Sequence, residues 1–317
     1  MRMFFRLFAL ALLALIAVPV QAAPSLLEVD QRLAAIAWRL TTANAPLCRD
    51  RQPVIGATLH AADQYPRTLR DAFAAPVAIE LVVPDAPAAQ AGVAANDGLL
   101  AIDGRALPAP TMSDGTTSAT RDAAQAAIAA LPVDAPIALT LRHDGATRVV
   151  TVSPRPGCRV EFEVLTGSKL GASSDGRVVQ VGGALFERFG DDQIAVVVAH
   201  ELAHAILRHR ARLEAAGVKW GLLAEFGRNA RLFRQTETEA DLLGAYLLRN
   251  AGWDPQLAVR FWRDYGSRID GGMFHSRTHP SARDRAKAIA AELATMPPDA
   301  TTPYFPPLLA KRDAALQ

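Results

Sequence analysis

The sequence predicts an α+β protein, with a mostly helical domain that carries a small sheet and a second domain rich in β-structure. Two stretches, 191–210 and 237–250, are apolar enough to be buried helices, yet they carry histidines and carboxylates one turn apart. Residues 50–155 read instead as short alternating runs divided by Gly, Pro and Asp turns. Cys48 and Cys158 bracket that change of texture.

Taken in order, residues 1–22 have the form of a cleavable signal peptide. Arg2 and Arg6 precede the apolar stretch Leu7 to Val18, and Val20-Gln21-Ala22 is a small-residue cleavage site. That stretch is short for a membrane span and no later apolar run is long enough. No integral membrane segment is expected after cleavage, and the expected location is periplasmic or otherwise secreted. Removing these residues, with two arginines and no acid, brings the formal charge from +2 to zero. Such a balance gives no expectation of a nucleic-acid partner. In an exported chain the even pair Cys48 and Cys158 reads as a disulfide, closing a loop of about 110 residues.

Ser25-Leu26-Leu27-Glu28 has the form of a capping box, and apolar positions recur at helical spacing through Leu40. Val77–Val83 reads as a strand, Ala88–Ala91 as a short helix ending at Gly92, and Leu99–Ile102 as a strand closed by Asp103-Gly104. Arg121–Leu131 is an Ala-rich helix, and Ile137–Leu141 pairs with Val149–Val152 across His143-Asp144-Gly145. The expected organisation is a signal peptide (1–22), an N-terminal helix packing on the helical domain (23–49), the β-rich domain (50–155), the helical domain (156–300) and a C-terminal tail (301–317).

The chemistry is concentrated in His200-Glu201-Leu202-Ala203-His204. On a helix the two histidines share a face, roughly 5–6 Å apart at Cβ. Both imidazoles can hold one Zn²⁺ per chain, with Glu201 beside them to take a proton from a water that the metal activates. A third ligand is needed. An xxGxxH continuation is excluded, because Leu207 and Arg210 stand at its required positions and His209 is one residue out of register. Glu225 lies at a distance that some zinc peptidases use, but Asn229 stands where an acidic partner would follow. Glu237 and Asp241 sit at i and i+4 on the apolar second helix, and buried carboxylates are costly unless paired or metal-bound. Glu237 is therefore assigned as third ligand and Asp241 as the acceptor that orients a ligating histidine. Glu239 points the other way and reads as solvated or salt-bridged; His60, His143, His209 and His275 read as surface residues.

The order HELAH, ETEADLLGAYLLRNAGWDP and THPSARDR closely resembles the HtpX-, Oma- and BepA-like zinc metallopeptidases (peptidase family M forty-eight) over about residues 158–295. The resemblance implies a zincin-type (gluzincin) helical domain, zinc ligands at His200, His204 and Glu237, and a catalytic Glu201. It also points to His279 and Arg285 as neighbours of the site. His279 has three readings: it stabilises the tetrahedral intermediate, it fills the open zinc position and holds the enzyme latent, or it is a loop histidine. Arg285 is expected to anchor its loop through a carboxylate. Val178, Val179 and Gln180 form a strand before the active helix and are the candidate edge for an extended substrate.

Pro-Asp-Ala-Pro-Ala-Ala-Gln-Ala-Gly-Val and Asn-Asp-Gly-Leu-Leu-Ala-Ile-Asp-Gly look like a bacterial PDZ domain over about residues 50–155. Such domains add an extended peptide to a sheet edge, here Ile55–Leu59. The absence of a Gly-Leu-Gly-Phe-type loop leaves two readings, a peptide-binding module or an interaction remnant. The expected function is a secreted zinc endopeptidase acting on misfolded or unfolded envelope proteins, with protein substrates and a peptide ligand for the PDZ-like module. The alternative is a binding or chaperone-like protein with a largely latent metal site.

Overall fold

Ser25 caps the first helix: its hydroxyl accepts from the Glu28 amide, and Glu28 accepts from the Ser25 amide in return. The computed structural model describes residues 24–108, 115–167, 170–218, 226–269 and 278–317. The signal peptide read at 1–22, Glu225 and His275 lie outside them. Helix α1 (Leu26–Ala43) buries Val29, Leu33, Ile36 and Leu40, one face at helical spacing, in the main core.

The chain then leaves this core along β1 (Arg51–Val54). There follow β2 (Ala57–Ala61), a short α2 (Arg67–Arg70), β3 (Val77–Val82), α3 (Pro87–Gln90), β4 (Gly98–Ile102), β5 (Arg105–Ala106), α4 (Ala119–Ala129), β6 (Ile137–His143) and β7 (Ala146–Val152). Strands β2-β3-β4-β6-β7 form one antiparallel sheet with β5 beside β4. Ile79, Leu99, Leu139 and Leu141 give this domain a core of its own. The β6–β7 hairpin turns at Asp144 and Gly145, both at positive φ, as Asp-Gly permits. Strand β8 (Arg155–Cys158) returns to pair with β1, Arg51 opposite Cys158. Cys48 and Cys158 form a disulfide with Cα atoms 5.4 Å apart, so the neck of the inserted domain is closed twice.

A second, three-stranded sheet follows from β9 (Glu161–Leu165), β10 (Ala172–Ser174) and β11 (Val178–Gly182). Its order is β10-β11-β9. The expected substrate edge at Val178, Val179 and Gln180 is therefore corrected. Strand β11 is central, paired antiparallel with β10 and parallel with β9, so both sides of its backbone are occupied. The edge beside the active helix is β10.

The remaining helices are α5 (Gly183–Arg188), α6 (Asp191–Ile206), α7 (His209–Ala215), α8 (Gly227–Asn250), α9 (Gln256–Ile269) and α10 (Ala282–Leu293). Helix α8 packs against α6 at Gly244, where an added Cβ would lie 3.3 Å from the backbone nitrogen of His200. Residues 301–317 are no loose tail: Leu308 and Leu316 are buried, and Arg212 donates to the Ala314 carbonyl. Asn250 joins α8 to this segment by bonding Asn44 and Tyr304. No described helix is long and apolar enough to cross a membrane.

Candidate metal centre and active site

Helix α6 starts at Gly190 with Asp191 and Asp192 in its first turn, which suits the positive end of the helix dipole. Ile194, Val198 and Leu202 are wholly buried, and this anchors the helix so that His200 and His204 face α8. There they meet Glu237. The two Nε2 atoms are 3.1 Å apart, and each lies 3.4 Å from a Glu237 carboxylate oxygen. Among the described residues these three form the one group of metal-ligand type, with all donor atoms within 4.8 Å of one another. Bonds of roughly 2.0–2.1 Å in tetrahedral array place ligand atoms about 3.3–3.4 Å apart, so the donor set fits a small divalent cation.

Asp241 lies one turn beyond Glu237 and accepts from His200 Nδ1 at 3.0 Å. Arg285, on α10, grips Asp241 with Nε and Nη2, both at 2.6 Å, and its guanidinium lies 3.4 Å above the Trp262 ring. Its carboxylate partner is thus on α8, and Arg285 joins two helices around the site. Burial opposes a charge on His200, but hydrogen bonds to Asp241 and Glu237 outweigh it and raise its pKa to about 10. Burial also holds His204 neutral, well below the usual imidazole range.

His204 has its own support, which sequence reasoning missed. His209 is buried, 1% exposed, and its Nδ1 lies 2.9 Å from His204 Nδ1. On the far side its Nε2 is 3.3 Å from Glu239, which also accepts from Arg212 at 2.7 Å and Gln235 at 2.9 Å. A proton on His204 Nδ1 and one on His209 Nε2 satisfy the whole chain and leave His204 Nε2 free to ligate. The surface reading of His209 is corrected. Arg208 adopts a left-handed conformation (φ 54°) between α6 and α7, and this turns His209 back onto His204. Glu239 is salt-bridged but buried. His60 and His143 are also partnered, with Tyr65 and Asp97.

Glu201 is buried on α6 beside His200. Burial, with Glu237 and Asp241 adding to it, pushes its carboxyl up to about 7 against the pull of His200 and Arg285. His279 Nε2 is 3.5 Å from a Glu237 oxygen, its side chain is 47% exposed, and it is not a member of the close donor group. The expected edge residues Val178, Val179 and Gln180 lie in the sheet, and Gln180 bonds Glu163.

Two imidazoles and a carboxylate around one point, with a buried glutamate next to the first, define a metallopeptidase-type site. The profile described as Peptidase family M48 matches residues 169–293, so this part of the chain is similar to that family. Curated relatives agree. The chain is 28% identical over 165 residues to "Mitochondrial metalloendopeptidase OMA1" of Schizosaccharomyces pombe, covering 45% of this chain and 49% of the relative. It is 30% identical over 133 residues to the protein of that name from Arabidopsis thaliana, 36% of this chain and 27% of the relative. The Saccharomyces cerevisiae protein is 30% identical over 119 residues, 30% and 34% of the two chains. The chain thus spans half or less of the length of these relatives. Among solved structures, the HtrA3 PDZ domain bound to a phage-derived ligand covers 33% of this chain and 88% of its own, at 16% identity and a TM-score of 0.25. A serine endoprotease from Yersinia pestis covers 34% of this chain and 30% of its own, at 20% identity and a TM-score of 0.23. At such TM-scores the likeness carries no argument.

The relatives also overturn the expected periplasmic or secreted location, since all three are named as mitochondrial. A basic and then apolar stretch such as residues 1–22 does not by itself specify a compartment.

Proposed function

We propose that the chain is a zinc-dependent endopeptidase with a gluzincin-type site, acting on extended segments of misfolded or unfolded proteins. The convergence of His200, His204 and Glu237 at 3.1–3.4 Å is the observation that carries this reading. The zinc ion, when held there, polarises the scissile carbonyl and acidifies the attacking water. Asp241 and His209 fix the two ligating imidazoles from behind, so that both Nε2 atoms face the same point. Glu201 takes the proton of the attacking water and passes it to the leaving amine; its raised pKa suits both the taking and the giving. His279 is exposed at the mouth and outside the donor group, which supports a hydrogen bond to the developing oxyanion over a latch on the metal. The free edge of β10, against α6, receives the substrate as an added strand, which only an unfolded segment can supply. Residues 50–155 serve as a PDZ-like peptide-binding module.

Casein cleavage tests this reading. Activity is expected with zinc, lost on chelation and restored by zinc. Glu201→Gln should lower kcat by about 10²–10⁴-fold while one zinc per chain is still bound. Cleavage that survives this substitution would sink the proposed mechanism. Zinc binding and protection of an unfolded client without cleavage would instead favour a binding or chaperone-like protein.

A further inference from the structure

A cleft of 620 Å³ opens between the two domains and shares no lining residue with the His200–His204–Glu237 cluster. One wall is β2 and another is β9, with α1 and α4 closing the sides. Both strands are sheet edges. Strand β2 pairs with β3 alone and β9 with β11 alone among the described residues. Two edges facing one cleft offer rows of backbone donors and acceptors to an extended chain.

The lining is under-satisfied in a particular way. His60 Nε2 and Gln125 Oε1 are buried without a hydrogen-bond partner, and both residues line the cleft. Asp30 on α1 and Glu80 on β3 also line it and make no ion pair among the described residues. Burial raises both carboxyls, and for Glu80 the nearby Asp30 adds to the effect. The cation at hand is already committed, since Arg121 is bound to Asp122 at 2.8 Å and Glu163 at 2.7 Å. Glu161 adds a further acid from β9. The cleft therefore holds an excess of partly buried negative charge together with orphaned polar atoms.

We propose that this inter-domain cleft binds an extended internal peptide segment and seats a lysine or arginine side chain of that segment against Asp30 and Glu80. The inference rests on the reading of residues 50–155 as a peptide-binding module. It adds the charge of the ligand and a second wall, contributed by the peptidase domain. A basic side chain neutralises the two repelling carboxylates, while an acidic one or a chain-terminal carboxylate meets them as like charge. The bound segment lies between β2 and β9 and so braces the inserted domain against the sheet that leads through β11 and α5 into α6.

The test uses the zinc-loaded full chain carrying Glu201→Gln, so that no probe is cut. Labelled Ala/Thr/Val peptides with blocked ends and a single central Lys, Ala or Glu are titrated by fluorescence anisotropy. The Lys peptide is expected to bind at least about tenfold more tightly than the Glu peptide, with Ala between them. Glu80→Lys should reverse the order of the Lys and Glu peptides without changing zinc affinity, measured by chelator competition. Equal binding of all three peptides to the unaltered cleft would overturn the charge inference and leave the peptide-binding reading standing. Binding of none would overturn both. Because the peptide series is read on the unaltered cleft, the result does not depend on whether Glu80→Lys folds.

Discussion

His209 shows what a single residue adds at this site. A regular helix places a residue five positions on roughly 140° further round, so continuing α6 would turn His209 away from His204. The left-handed turn at Arg208 brings the two rings together instead. His209→Ala is expected to weaken zinc binding by about 10–100-fold, because His204 loses the acceptor that fixes its ring. Chelator competition measures the loss, and unchanged affinity would show that the contact does not orient the ligand. Glu239, behind His209, gives a pH signature. Burial pushes its carboxyl up, but bonds from His209, Arg212 and Gln235 outweigh this and hold it at about 2, against an ordinary 4.5. A carboxyl depressed by folding stabilises the native state above its unfolded pKa, and that stability is lost as pH falls through the folded value. The contribution is on the order of 3 kcal/mol, present above pH 4.5 and lost toward pH 2. Thermal unfolding across this range should show Glu239→Gln less stable at neutral pH, with the gap closing below 4.5. A gap that stays constant would refute the assignment.

Among the elements, the pairing of α6 with α8 decides whether the three proposed ligands meet. Glu237, Asp241 and Gly244 follow one face of α8, and at the glycine an added Cβ would lie only 3.3 Å from the backbone nitrogen of His200. Gly244→Ala must push the helices apart by a few tenths of an ångström. It is expected to cost about 1–3 kcal/mol in denaturant unfolding and to weaken zinc binding as well. An alanine variant with unaltered metal affinity would show that the close approach is not what positions His200. Helical spacing in the sequence was enough to place His200 and His204 on one face of a helix and Glu237 and Asp241 on one face of another, because the period of a helix dictates which side chains share a face. The substrate strand was not legible in the same way. Alternation marks a strand, but it does not tell whether a strand is central or at an edge, and β11 proved central with β10 outside it.

Across the whole molecule, the inserted domain is held at its neck by the β1–β8 ladder and by the Cys48–Cys158 disulfide, across 110 residues. Replacing both cysteines by serine is expected to lower stability by up to about 4–5 kcal/mol in the chain-entropy account, less where the ladder still confines the ends. Guanidinium unfolding with and without reductant measures this, and no change would show that the ladder alone closes the neck. The sequence by itself pointed to the α+β class, to a β-rich segment between the two cysteines, and to the grouping of His200, His204 and Glu237 with a buried Glu201 beside them. These depend on local periodicity, on turn chemistry and on residue types whose burial is intolerable without a partner. Only the tertiary structure decided that His209 supports His204, that Arg285 reaches Asp241 from another helix, and that two strand edges share an acidic cleft. Each of these joins segments whose spacing carries no common period, so packing alone brings them together.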